Sequence, residues 1–277
     1  MILLDGKATS LKILQDQKAK IANLPKPPRL DIILVGDDPS SLQYVSMKQK
    51  KADLVGILCQ IHRLPADSTT AKVSALISSL NLDSAVTGIL VQLPLPKNFN
   101  TQEILNTIDP SKDVDGLTAT NLGLMFQKNP AAIASATPQA VLALLDNYQI
   151  SLESKDVVII GRSPHIGLPL VALMLQRNAT VTVCHSYTPH LSAATGMADV
   201  VITAVGKQNF ITGSMVKEGS IIIDIGLSQD PQTGKLVGDV DFDSVAPKCS
   251  YITPVPGGIG PMTIACLLNN VYNISHK

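Results

Sequence analysis

The chain has 277 residues, long enough for two domains of ordinary size, each with its own core. Its 22 basic and 22 acidic side chains cancel, and aromatic residues are 3% with no Trp, so there is no electrostatic footprint for nucleic acid or an anionic membrane and no base-stacking platform. Cys59, Cys184, Cys249 and Cys266 form no Cys-x-x-Cys pair, and are expected as small buried residues in a reducing compartment, neither zinc ligands nor disulfides.

The N-terminal MILLDGKATS is interrupted by Asp5 and Lys7 before a signal-peptide core could form, and the apolar runs are strand-sized. A soluble, cytoplasmic protein is expected. Residues 8–23 carry Leu11, Ile13, Leu14, Ala19 and Ile21 among polar residues, an amphipathic helix that Pro25, Pro27 and Pro28 cannot continue. Leu30 to Val35 reads as a strand, and Ser41 to Val55 as a helix with Ser40 or Ser41 as N-cap. Tyr44 and Lys48 stand four apart on that helix, one turn from each other on one face. Lys48, Lys50 and Lys51 read from spacing alone as a solvated helix side.

Gly56 to Leu64 holds a strand parallel to the one at Leu30, followed by a helix over 69–80 and an apolar strand from Gly88 to Gln92. Two prolines in Gln92-Leu93-Pro94-Leu95-Pro96-Lys97 stop further pairing. Gln92 therefore lies at the carboxyl end of a strand, where open parallel sheets bind ligands, and the helix carrying Tyr44 and Lys48 can converge on the same crevice. Thr101 to Ile108 is a short helix. In Lys112-Asp113-Val114-Asp115-Gly116 the two carboxylates could take a metal, but no further ligands are near in sequence, and turn capping by Asp113 is the simpler reading. Residues 119–136 read as a small-residue loop crossing between domains, and Thr137-Pro138 as N-cap and first position of a helix over 138–148.

Asp156 to Ser186 organises the second half. Val157 to Ile160 is a strand buried on both faces, Gly161 to Gly167 a glycine-containing turn, Leu168 to Gln176 a helix, and Ala179 to Cys184 a second strand. A helix N-terminus with a glycine turn before it is built for phosphate, so this is either a dinucleotide-binding βαβ unit or an ordinary α/β crossover. Ser163 stands where the second glycine of the common fingerprint would be, and Gly167 falls one residue late. The second strand ends in Val183-Cys184-His185-Ser186 with no carboxylate for a ribose 2′-hydroxyl. With Arg162, this suits the 2′-phosphate of NADP; a merely solvated strand end is the alternative. Further strands are expected over 199–205 and 219–226, with shorter pieces at 239–241 and 251–253. The proline- and glycine-rich run from Pro254 to Thr263 either lines a ligand or links to a final helix over 263–274. Strands alternating with helices throughout mean two α/β domains with parallel sheets.

Taken together, Ser41-x-x-Tyr44-x-x-x-Lys48-x-Lys50-x-Ala52, Val91-Gln92-Leu93-Pro94-Leu95-Pro96, Lys112-Asp113-Val114-Asp115-Gly116, Gly161-Arg162-Ser163 and Pro256-Gly257-Gly258-Ile259-Gly260-Pro261-Met262-Thr263 occur in this order. The set resembles the bifunctional methylenetetrahydrofolate dehydrogenase/methenyltetrahydrofolate cyclohydrolase family over essentially the whole chain. The resemblance implies a folate-binding catalytic domain (1–120 plus 263–277), a Rossmann-type NADP-binding domain (121–262), an active-site cleft between them, and a homodimer. It implies oxidation of 5,10-methylenetetrahydrofolate with NADP and hydrolysis of the methenyl product to 10-formyltetrahydrofolate. Lys48 would be the base of the hydrolytic step, Tyr44 would lie at the pterin, Gln92 would position and tune Lys48, and Asp115 would hold the pterin nitrogens. Leu93, Pro256, Gly257, Gly258 and Pro261 would border the folate. Gly161, Arg162, Ser163, Ile166, Gly167, His185, Ser186 and Ile225 would contact the cofactor, and no metal is implied. A dehydrogenase without the hydrolytic step and a non-catalytic nucleotide-binding protein are the rival readings; retention of Lys48, Gln92 and Asp115 speaks against both. The chain departs from the family pattern at Ser135-Ala136, where relatives commonly read Pro-Cys, and at Pro164-His165 in the cofactor turn.

Overall fold

β-Branched runs alternate with helix-forming stretches, and the computed structural model, which describes residues 1–276, follows that alternation. The first half contains β1 (Ile2–Leu3), α1 (Gly6–Ala22), β2 (Arg29–Val35), α2 (Pro39–Val55), β3 (Leu58–Leu64), α3 (Thr70–Leu82), β4 (Gly88–Val91), α4 (Thr101–Leu105), α5 (Ala119–Phe126) and α6 (Ala136–Asn147). There follow β5 (Asp156–Ile160), α7 (Gly167–Gln176), β6 (Thr180–Cys184), α8 (Leu191–Thr195), β7 (Val200–Thr203) and β8 (Ile221–Asp224). The chain then forms β9 (Ser228–Gln229), β10 (Leu236–Val237), α9 (Phe242–Val245), β11 (Tyr251–Ile252) and α10 (Ile259–Ser275). Two contact units result, Leu11–Ala136 with the chain from Ile264 onward, and Met1–Ser10 with Thr137–Thr263. The sequence division at 120 and 262 differs from this: residues 1–10 join the second half and 121–136 the first.

In the unit containing β2, three parallel strands lie in the order β3-β2-β4. The two-residue period of β2 sends Leu30, Ile32 and Leu34 into a core shared with α1, α2 and α10, and Ile33 and Val35 into a second core with α3 and α4. Each fully buried Leu or Ile there contributes about 1.5–3 kcal/mol over an exposed one. Residues 119–136 are not all loop: α5 forms because Thr118 accepts from the Asn121 amide at its start, while the Asn121 side chain is buried against Asp113. Asn270 of α10 donates to the carbonyls of Val114 (2.9 Å) and Ala134 (3.0 Å), tying both ends of that segment down.

In the other unit a six-stranded parallel sheet runs β1-β11-β8-β7-β5-β6. β7 and β8 are buried on both faces, as is β5 beyond its first residue, which explains their uninterrupted Val and Ile content. Met1–Ser10 belongs here because Ile2 and Leu3 pair with Tyr251 and Ile252. The piece at 239–241 forms only an isolated bridge, Ile211 to Val240. Two helices begin earlier than their prolines suggest, α6 at Ala136 and α10 at Ile259. Pro138 and Pro261 sit inside the first turns, where a missing N–H costs nothing.

Candidate active site

α2 is fixed at both ends. Its N-cap is Asp38 and not Ser40 or Ser41: the Asp38 carboxylate accepts from the Ser41 amide at 2.8 Å, and Pro39 follows it. Gly56 ends the helix in the left-handed region at φ 89°. Ser41, Val45, Lys48, Ala52 and Val55 form its buried face, so the three lysines part company. Lys50 is exposed and Lys51 half-buried, whereas Lys48 is 5% exposed. The solvated-side reading therefore fails for Lys48.

The Lys48 ammonium nitrogen lies 4.9 Å from the Tyr44 ring centroid and donates to Gln92 Oε1 at 3.0 Å. Gln92 leaves β4 with its backbone amide still bonded to Ile33 O (2.9 Å), and its side-chain amide donates to Leu93 O (2.6 Å). With its side-chain nitrogen spent on the backbone, the amide can offer Lys48 only an acceptor oxygen. Asp115 sits in a turn built by Asp113, whose buried carboxylate accepts from the amides of Gly116 and Thr118 and from Asn121 Nδ2. Asp113 is thus the capping residue, and among the described residues no group of three or more His, Cys, Asp or Glu is placed to hold a metal. The segment bridges β4 in parallel, Ile89 to Asp113, and a Cβ on Gly88 would stand 2.1 Å from Val114 Cγ1. That close approach brings Asp115 into the electrostatic reach of Lys48.

Burial holds Lys48 below the usual lysine range, while Asp115 pulls it back up. Burial pushes the Asp115 carboxyl up, with Lys48 opposing and Asp113 adding to the rise. Cys59 on β3, unremarked in the sequence as a site residue, also feels Lys48; burial drives its thiol up to about 11. A desolvated amine whose hydrogen-bond partner is a neutral amide is a competent proton acceptor.

In the sheet containing β5, the glycine turn lies at the carboxyl end of β5, between strands reached in opposite directions across the sheet. Gly161 has φ 125°, and a Cβ there would stand 3.0 Å from Ala204 O. Ser163 Oγ accepts from the Ile166 amide (3.1 Å) and, more weakly, from Gly167 (3.4 Å), closing the turn into α7. Arg162 is exposed and its guanidinium lies 5.7 Å from the Tyr187 ring centroid. His185 and Ser186 follow β6; His185 Nδ1 accepts from the Tyr187 amide, and Ser186 is exposed. Ile225 leaves β8 with its amide bonded to Thr203 O at 2.9 Å. The structure therefore gathers Gly161, Arg162, Ser163, Ile166, Gly167, His185, Ser186 and Ile225 along the carboxyl edge of one sheet. The donors here are a guanidinium, hydroxyls and an imidazole, and residues 184–186 hold no acid, a set that fits a phosphate-bearing dinucleotide. His165 in the turn is half-buried, burial lowers its pKa, and its Nδ1 has no hydrogen-bond partner among the described residues.

Sequence reasoning missed Tyr187, an exposed aromatic whose only signal was its place after the second strand. It also missed the buried carboxylates Asp224 and Asp239. The Pro254–Thr263 run lies in this unit as well. Gly257 has φ 112°, its carbonyl accepts from Lys7 N (2.9 Å), and Gly6 packs so closely on Gly258 O that a Cβ there would overlap it at 1.8 Å. Pro256 is exposed, Gly258 buried and Pro261 half-buried at the start of α10.

A parallel sheet with a glycine turn at its switch point defines a Rossmann-type nucleotide-binding protein, joined in one chain to an α/β unit that buries a lysine. Residues 4–115 match the family model described as the tetrahydrofolate dehydrogenase/cyclohydrolase catalytic domain, and residues 135–277 match its NAD(P)-binding domain. The chain belongs to the tetrahydrofolate dehydrogenase/cyclohydrolase family. It is 50% identical to the bifunctional protein FolD of Wolinella succinogenes over 274 residues, 98% of this chain and 95% of that one. The bifunctional FolD of Campylobacter jejuni superposes with a TM-score of 0.98 at 46% identity, covering 100% of this chain and 99% of that one. The Trypanosoma brucei dehydrogenase-cyclohydrolase, solved with NADP cofactor and an inhibitor, superposes with a TM-score of 0.94 at 34% identity, covering 100% and 97%.

Proposed function

We propose that the chain is a bifunctional enzyme that oxidises 5,10-methylenetetrahydrofolate to the 5,10-methenyl cation with NADP, and hydrolyses that cation to 10-formyltetrahydrofolate. Family membership and the bifunctional relatives support the pair of activities. The unit around β2 would carry the folate chemistry and the unit around β5 the cofactor. NADP, when bound, supplies the hydride acceptor, so the chain's task in the oxidation is orientation. Hydrolysis needs more: water adding to the methenyl carbon must lose a proton.

Lys48 is the base for that step. The observation that carries this is its burial against a neutral amide, which lowers its pKa and so favours the uncharged amine relative to an exposed lysine. Gln92 holds the Lys48 nitrogen in place without supplying a counter-charge. Tyr44 presents its ring face to the same nitrogen and offers a flat surface at the pterin. Asp115, raised toward its protonated form, can share a proton with the pterin nitrogens. Leu93, Pro256, Gly257, Gly258 and Pro261 are proposed to border the folate. Arg162, Ser163, His185 and Ser186 are proposed to receive the 2′-phosphate, with Gly161, Ile166, Gly167 and Ile225 along the dinucleotide.

Two measurements test this reading. Purified protein given methylenetetrahydrofolate and NADP should reduce the cofactor and then clear the methenyl absorbance faster than the spontaneous rate. Arg162→Ala should raise KM for NADP at least tenfold and leave KM for the folate within about twofold; equal effects on both would remove Arg162 from the cofactor site. A homodimer in the cytoplasm belongs to the same proposal, and light scattering at the mass of a single chain would contradict the dimer.

A further inference from the structure

Two carboxylates lie buried in the unit around β5 and take no part in the roles above. Asp224 is 3% exposed at the end of β8, and Asp239 is 0% exposed just after Gly238. Among the described residues neither forms an ion pair. Asp239 Oδ2 accepts from Thr203 Oγ1 (2.8 Å) and the Val205 amide (2.7 Å), and Oδ1 accepts from the Lys207 amide (2.8 Å). Asp224 accepts from the amides of Gly226 and Val240, each at 2.9 Å.

The pair is interlocked. A Cβ on Gly226, two residues after Asp224, would stand 2.1 Å from the Asp239 carboxyl carbon; a Cβ on Gly238, next to Asp239, would stand 2.0 Å from Asp224 Oδ2. Each acid fills the space that a side chain on the other's neighbouring glycine would need. Two like charges buried together are costly, and burial with the Asp239 charge pushes Asp224 up to about 6. A fold that needed only packing would be served as well by apolar or amide residues.

The recipients of these bonds locate their use. Thr203, Val205 and Lys207 are the end of β7 and the loop that leaves it; Gly226 is in the loop that leaves β8. Both loops lie on the carboxyl edge of the sheet, and Ala204 between the held residues is the one against which Gly161 packs. We propose that Asp239, locked by Asp224, is a positioning residue for the dehydrogenase half-reaction: it fixes the loop after β7, as Asp224 fixes the loop after β8, to form the floor on which a nicotinamide dinucleotide rests. This rests on the assignment of NADP to this sheet edge.

The test is Asp239→Asn, which keeps the shape and turns an acceptor oxygen into an N–H₂ facing backbone amides. NADP affinity is measured directly by titration, and hydrolysis of the methenyl substrate without NADP is followed beside it. The expected result is Kd and KM for NADP raised at least tenfold, with hydrolytic kcat/KM within about twofold of wild type. If both activities fall in proportion to the folded fraction while NADP binds the folded protein normally, Asp239 is structural only and the proposal is overturned. Should Asp239→Asn fail to fold, Thr203→Val decides, since it removes one donor: Kd for NADP should rise about three- to tenfold, and an unchanged Kd overturns the proposal. Wild type that binds no NADP would overturn the cofactor assignment and this inference together, which the wild-type titration alone reports.

Discussion

The role proposed for Lys48 would come from its surroundings. At its ordinary pKa a lysine is a cation and no base at neutral pH; burial lowers the pKa more than the Asp115 charge raises it, and the Gln92 amide adds no counter-charge. Gln92→Glu would replace that amide with a carboxylate and favour the ammonium. The limb of the hydrolysis pH profile that depends on free amine should then move to higher pH, with activity at pH 7 reduced at least tenfold. An unmoved profile would mean that Lys48 is not the titrating base. The four-residue spacing of Tyr44 and Lys48 was legible in the sequence, but not which of three lysines is buried. That depended on the face Ser41-Val45-Lys48-Ala52-Val55, which only packing against the sheet selects.

At the level of elements, charge couples strands as well as sites. Asp31 on β2 is fully buried and accepts from Arg29 at 2.8 Å and His62 of β3 at 2.7 Å, while Arg29 reaches Asp83 at 3.1 Å. Arg29→Met should lower unfolding free energy by about 2 kcal/mol, below the full cost of orphaning a buried charge because His62 remains and Arg29 is part-exposed; a chemical-denaturation midpoint equal to wild type would contradict this. Asp224 gives a pH signature in the other sheet. Its folded pKa of about 6 lies above the ordinary carboxylate value of 3.8, so between them the folded state keeps a proton that the unfolded chain has lost. Its contribution is therefore full below about pH 4 and is lost as pH rises through about 6. The melting temperature of Asp224→Asn relative to wild type should rise between pH 4.5 and 7, and a constant difference would refute the assignment. Strand positions and the βαβ unit were legible from β-branched runs and glycines. α5 was not, because its start depends on Thr118 and on Asn121 reaching Asp113, contacts that no local pattern declares.

At the scale of the molecule, chain order and contact order diverge. Ile2 and Leu3 complete a sheet whose partner strand is Tyr251–Ile252, and α10 from Ile264 onward packs with residues near the other end of the chain. Pairings so distant leave no signature in composition: the return of 263–277 to the first unit was implied only by the family resemblance, and the place of residues 1–10 beside the second unit was not read. The motifs at Tyr44–Lys48, Gln92 and Asp115 were separated by the sequence and assembled by the parallel register of β2, β3 and β4. In the proposed function this assembly makes Lys48 the base of hydrolysis and not a participant in hydride transfer. The most direct test of this claim is a spectrophotometric assay of Lys48→Met with methylenetetrahydrofolate and NADP. The variant should still reduce NADP and accumulate the methenyl compound, which then decays at its spontaneous rate. Clearance of the methenyl compound by the variant at the wild-type rate would contradict the claim.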